Sequence, residues 1–176
     1  MKQGFGQTIG LLLAALLFIL PGEALAAVKV TFHSREFGKT FPHAFVTLKG
    51  TVDATGEAVD TAYGFTAKTV SPAILFGSVA GKLQIESQDY VTHSQRHFTV
   101  TLPDEGYRAV MAVVEKWRSA PQPSYNLNRA NCVHFVGEIA EAAGLAVTFD
   151  PKLMKKPRSF LVSVKAANDG RTEDPS

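Results

Sequence analysis

Period-two alternation dominates the middle of this chain and commits that region to β-structure. Val28-Lys-Val-Thr-Phe-His33 alternates, and Arg96-His-Phe-Thr-Val-Thr-Leu102 puts Phe98, Val100 and Leu102 on one face. His43-Ala-Phe-Val-Thr-Leu-Lys49 is rich in β-formers and stops at Gly50. After the turn TVDATGE, Ala58 to Phe65 returns as its hairpin partner, and Lys82 to Ser87 reads as a further strand. Helical spacing takes over only after Leu102. Pro103 and two acids open a helix with Tyr107, Val110, Val114 and Trp117 on one face, and Pro121 and Pro123 end the segment. Cys132, Val136, Ile139, Ala140 and Ala143 share one face of a second helix, which Gly144 closes as its C′ residue. Thr66 to Gly81 is mixed, broken by Pro72 and Gly77; Leu145 to Phe149 looks extended; Ser159 to Ala167 is apolar and fits helix or strand. Strands followed by helices give an α+β class, an antiparallel sheet packed against helices.

The N-terminus reads as an export signal. Lys2 supplies a positive start, Ile9 to Leu20 an apolar run, Pro21-Gly22 a break, and Ala24-Leu25-Ala26 a small-x-small cleavage pattern. The run is too short for comfortable spanning of a bilayer. The expected organisation is a signal peptide over 1–26, one domain over 27–165 and a polar flexible tail over 166–176. Cleavage leaves roughly 150 residues, enough for one domain with a real core. Lys2 and Glu23 cancel, so the mature chain keeps the formal charge of +2, too mild a balance to point to nucleic acid. The expectation is a periplasmic or secreted bacterial protein with no stable membrane anchor after cleavage.

Export makes the single cysteine informative, because cysteines in oxidising compartments normally pair. Cys132 has no partner within the chain, which leaves an inert buried thiol, an intermolecular bridge or a reactive group. Its place at a helix start favours the thiolate through the macrodipole, and a nearby imidazole would complete a nucleophile. His43 opens a strand just after Pro42, where its ring can face a helix end. His134 follows Cys132 by two residues, about 200° around the helix, and so points away from the sulfur. His93-x-x-x-His97 has zinc-ligand spacing only on a helix, and this stretch reads as turn then strand, so neither metal nor cofactor is expected. Tyr63-Gly64-Phe65 either lines a substrate groove or closes the hairpin.

Asn131-Cys132-Val133-His134-Phe135-Val136 resembles the Asn-Cys-x-His-Phe-Val box of the circularly permuted papain-like proteins, which include lecithin retinol acyltransferase-like enzymes and permuted NlpC-type amidases. Their second hallmark, a histidine opening an upstream strand, resembles His43-Ala-Phe-Val-Thr-Leu-Lys-Gly50, and histidine before cysteine is the permuted order. The resemblance spans Val28 to Phe149. It implies a permuted papain-like fold with Cys132 as nucleophile at a helix N-terminus and His43 as general base and acid. It also implies a third polar residue on the strand AVDTAYGF, where the acyltransferase branch has a histidine and this chain has none. Asp60 is the expected substitute, since a carboxylate can orient and stabilise an imidazolium, with Tyr63 and Thr61 as alternatives. The Cys132 backbone N–H is the expected oxyanion donor, and His134 a packing or hydrogen-bonding residue.

The function implied is an exported cysteine amidase or peptidase acting on peptidoglycan peptides or another amide or acyl substrate. A lipid or ester acyltransferase or phospholipase of the same fold, and a non-catalytic envelope binding module, are the alternatives.

Overall fold

The computed structural model describes residues 27–36 and 41–174. The expected signal peptide lies outside the described residues. Six strands form one sheet: β1 (Val28–Arg35), β2 (His43–Thr51), β3 (Ala58–Ala67), β4 (Val79–Ile85), β5 (Gln95–Leu102) and β6 (Ser124–Tyr125). Their order is β5-β1-β2-β3-β4-β6, and every pairing is antiparallel. Among the described residues, four helices complete the α+β architecture: α1 (Gln88–Thr92), α2 (Asp104–Ser119), α3 (Cys132–Ala142) and α4 (Pro157–Ala167). Among the described residues, no helix is long and apolar enough to cross a membrane.

Alternation sorts the sheet into two faces. Val28, Val30 and Phe32 of β1, Ala44, Val46 and Leu48 of β2, and Phe98 and Leu102 of β5 are all buried in the main core. Phe32 stacks on Phe98 at 4.5 Å, and the helix side contributes Val110, Val114, Phe135, Ile139, Phe160 and Leu161. The other face is more polar. Thr31 and Thr99 share a hydroxyl hydrogen bond of 2.9 Å, and His33 Nε2 meets Thr47 Oγ1 at 3.0 Å. His33 is buried at 2 % exposure with Nδ1 unpartnered, and burial followed by the Arg96 charge lowers its pKa to about 4.

That shift has a stability consequence. His33 stays neutral when folded, while the unfolded chain takes up a proton near pH 6.5, so the unfolded state binds more protons between about 4 and 6.5. Stability is then full above pH 6.5 and falls as pH drops through that window, by up to about 3 kcal/mol. Urea titrations across this range, on the wild type and on His33→Gln, check it: the substitution flattens the slope.

α3 has well-defined ends. Gly144 adopts φ +81° and donates to Glu141 O at 2.9 Å while Leu145 N–H reaches Ala140 O at 3.0 Å, the paired bonds of a Schellman stop. Segments that the sequence left open take definite forms, and one expected extended segment joins no strand. Ser159–Ala167 lies within α4, because Pro157 sits at N1 and Phe160, Leu161 and Val164 bury one stripe. A 3₁₀ turn, Pro72–Leu75, occupies the mixed segment before β4. Leu145 to Phe149 pairs with no strand among the described residues. Residues of the expected tail, as far as Asp174, make specific contacts with the domain. α4 runs to Ala167, and Asn168, 2 % exposed, donates to Ala146 O and Val164 O while accepting the Ala146 N–H. Glu173 then exchanges backbone hydrogen bonds with Thr99 beside β5 and pairs with Lys29 at 2.9 Å.

Candidate active site

Asn131 sets the start of α3. Its backbone is extended, and its Oδ1 accepts the Val133 N–H at 2.8 Å and the His134 N–H at 3.2 Å. Its Nδ2 donates to Leu127 O and Met154 O at 2.8 and 2.7 Å, so one buried amide caps the helix and ties it to two loops. These cap bonds engage the N–H groups after Cys132 and leave the Cys132 N–H itself uncapped.

Cys132 is the first residue of α3, free of any disulfide and 3 % exposed. Three donors meet its sulfur: the His43 ring, the Ala44 backbone N–H and the Tyr125 hydroxyl. His43 opens β2 and is itself buried, with Phe45 stacked on one side and the Tyr90 ring edge-on at 6.2 Å. Its Nε2 lies 3.1 Å from Glu86 Oε1, leaving Nδ1 for the sulfur. Glu86 follows the last residue of β4 with its side chain only 2 % exposed, and its Oε2 accepts from Gln84 Nε2 at 2.8 Å.

The imidazole therefore reaches from β2 over β3 to a carboxylate at the end of β4, and β3 must be bare where it passes. Gly64 provides that gap. A Cβ there would stand 2.5 Å from Glu86 Oε1 and 2.6 Å from His43 Nε2. Glycine inside a strand marks such a close approach.

The electrostatics all favour one charge state. Burial opposes charging His43, but its hydrogen bonds to Cys132 and Glu86 and their negative charge prevail, raising its pKa to about 9. Burial likewise opposes the Cys132 thiolate, yet the His43 hydrogen bond and charge, the Ala44 N–H and the Tyr125 hydroxyl together hold the thiol below its usual range. Burial and the neighbouring sulfur push the Tyr125 phenol up, so it remains a proton donor. A thiolate beside an imidazolium is the state this arrangement stabilises.

Two cavities flank the pair. One, of about 480 Å³, contains His43 in its wall with Thr66, Lys68, Lys82, Gln84 and Tyr90. The other, of about 170 Å³, contains Cys132 with Leu75, Leu127, Val133 and Met154. Phe41, Pro42 and Tyr125 border both.

No family model, curated protein or solved structure matches the chain.

The structure brings together Cys132 and His43 and leaves out Asp60. Asp60 stands opposite Lys49, 73 % exposed and 3.8 Å from its ammonium. Lys49 is six residues along β2 from His43, roughly 20 Å at the rise of a strand. Thr61 and Tyr63 pair with Leu48 and Val46, on the sheet face alternate to Phe45 and His43. Glu86 holds the position expected of Asp60. His134 bonds Asn131 Oδ1 through Nδ1 at 3.0 Å and stacks on Phe149 at 6.3 Å; burial lowers its pKa. His93 and His97 fall on different elements, with His97 Nε2 2.8 Å from Ser34 Oγ.

Glu86 and Tyr125 escaped the sequence reading, which took Gly64 only within Tyr63-Gly64-Phe65 as a groove wall or a hairpin closure. Two signals for the His43–Glu86 arrangement were present: that glycine inside a strand, and the alternation Lys82-x-Gln84-x-Glu86, which puts the acid on one face with Gln84. Tyr125 belongs to a two-residue strand defined by its pairing with Val79, and nothing local announces it.

Proposed function

We propose that the protein is a cysteine hydrolase that cleaves amide bonds by acyl transfer, with a site arranged as in the circularly permuted papain-like enzymes. The observation that carries this reading is the His43 ring held between the Cys132 sulfur and the buried Glu86 carboxylate. A non-catalytic binding module has no use for such a charge pair.

The Cys132 thiolate attacks the carbonyl carbon, forming a C–S bond and a tetrahedral oxyanion. The Cys132 N–H at the helix start and the Tyr125 hydroxyl are the donors for that oxygen. His43 gives its proton to the leaving nitrogen as the C–N bond breaks, which leaves a thioester. The now neutral imidazole takes a proton from water, the resulting hydroxide attacks the thioester, and the C–S bond breaks to return the thiolate beside a protonated His43. Glu86 positions the ring and stabilises its charge throughout.

With the export expected from the N-terminal sequence, the substrate proposed is a peptidoglycan peptide in a bacterial envelope. The apolar wall of the Cys132 cavity, in which Leu75 is 61 % exposed, favours a second reading in which the acyl group is a lipid ester. Mass spectrometry after incubation with purified muropeptides, and in parallel with acyl esters of glycerol phosphate, separates the two. The expected result is a muropeptide split with the gain of one water by the wild type and not by Cys132→Ala. Cleavage confined to the ester would move the assignment to the second reading.

A further inference from the structure

We infer that the cavity in front of His43 is an anion-selective subsite for the leaving group, with Lys68 and Lys82 as its specificity-determining residues. This rests on the acyl-transfer reading above, which gives the site a direction. The leaving group must depart on the side of the acid that protonates it, so the His43 cavity takes the leaving group and the Cys132 cavity the acyl group.

The chemistry of the two walls differs accordingly. Lys82 stands opposite Thr66 across the β3–β4 pairing, and the Lys68 N–H extends that ladder to Ala80 O at 2.8 Å. Strand alternation sends both side chains to the face that carries Gly64, Gln84 and the His43 ring. Both line the 480 Å³ cavity, and among the described residues no aspartate or glutamate lines it. Among the described residues neither lysine has an acidic partner, a state shared with Lys152, Lys155 and Lys156, whereas Lys29, Lys49, Lys116 and Lys165 each lie beside a carboxylate. Glu86, which holds the His43 ring, already has both oxygens engaged, by His43 and Gln84. Two unmatched ammonium groups on the wall of a concave site focus a positive field where the departing fragment sits. The Cys132 cavity carries one ammonium, Lys155, and is otherwise walled mainly by apolar side chains, among them Leu75, Leu127, Val133 and Met154. The substrate class that fits both is an apolar acyl group joined to an amine that bears a carboxylate, such as an amino acid or a peptide fragment.

Binding measured on the full chain carrying Cys132→Ala tests this apart from cleavage. The probes are N-hexanoylglycine, its uncharged analogue N-hexanoylglycinamide, and N-hexanoyl-ethanolamine phosphate, titrated by calorimetry at low salt. The carboxylate probe is expected to bind about tenfold tighter than the amide, as charge-assisted hydrogen bonds warrant. Adding Lys68→Gln and Lys82→Gln, with the melting temperature showing a folded protein, should reduce the anionic probe to the level of the neutral one. Lys82→Glu should reverse the preference. A phosphate probe that outbinds the carboxylate and is lost in the same double variant keeps the subsite and makes its natural anion a phosphoester. Equal binding of charged and neutral probes, or a preference that survives the double substitution, overturns the proposal. Retained preference without Cys132-dependent cleavage of any amide would instead sink the hydrolase reading alone.

Discussion

Alanine at Cys132 and alanine at His43 should each bring turnover to background, a loss on the order of 10⁴-fold or more, with the double variant scarcely worse than either. The reason is that the two side chains form one charge pair. The thiolate owes its stability to the imidazolium, and the imidazolium owes its raised pKa first to the sulfur and then to Glu86. Removing either partner removes the reactive state, so the second removal finds little left to lose. Stability should separate the two variants. Cys132→Ala exchanges one small buried side chain for another. His43→Ala leaves Glu86 Oε1 without its partner at 2 % exposure, a cost of about 1–3 kcal/mol. Steady-state rates and urea unfolding on the three variants check both halves; single-variant losses that multiply would show independent action.

Glu86→Gln should lower turnover by about 10²–10⁴-fold with the fold intact, while Asp60→Asn leaves it within about twofold. Glutamine keeps the shape and the Gln84 neighbour but cannot offset an imidazolium. The pH at which His43 gives up its proton should therefore move from about 9 down toward the ordinary 6.5. The sign follows from the carboxylate raising the folded value, so its neutralisation lets the proton leave at lower pH and the alkaline limb of the rate profile shifts with it. Asp60 loses only an exposed contact with Lys49, of the kind that contributes at most about 1 kcal/mol. Gly64→Ala should behave like Glu86→Gln, since its methyl would stand 2.5 Å from the Glu86 oxygen and force the pair apart. An active Gly64→Ala enzyme with an unshifted alkaline limb would separate Glu86 from the chemistry.

The contrast between Asp60 and Glu86 marks where sequence reading stops. Alternation found β1 and β5 because each buries one face against the helices, and period two follows from that; β-former content and the intervening turn found β2 and β3. The thiol at a helix start and the histidine at a strand start were legible because both places are defined locally, by Asn131 and by Pro42. The orienting acid is defined by register and strand order instead. An acid in the adjacent strand was the natural choice, yet six residues of β2 separate its partner Lys49 from His43, and the ring reaches two strands over through the gap at Gly64. β6 and α1 are too short to carry a period, and Phe160-Leu161-Val162 suits helix and strand alike until Pro157 fixes the first turn. Polar composition disguised the last residues, whose order comes from Asn168 and Glu173 meeting backbone groups far away in sequence.

The most direct test of the Cys132–His43 pair is the pH dependence of Cys132 alkylation in the native protein, followed by intact mass with a small uncharged haloacetamide. A poised pair predicts rapid modification with an acid limb well below the roughly 8.5 of a free thiol, and a second change near 9 as His43 deprotonates. In His43→Ala the acid limb should move up to the ordinary range or beyond, because burial then acts on the thiolate without its counter-charge. A native Cys132 that titrates like a free thiol, or that stays unmodified until the chain is unfolded, would contradict the account.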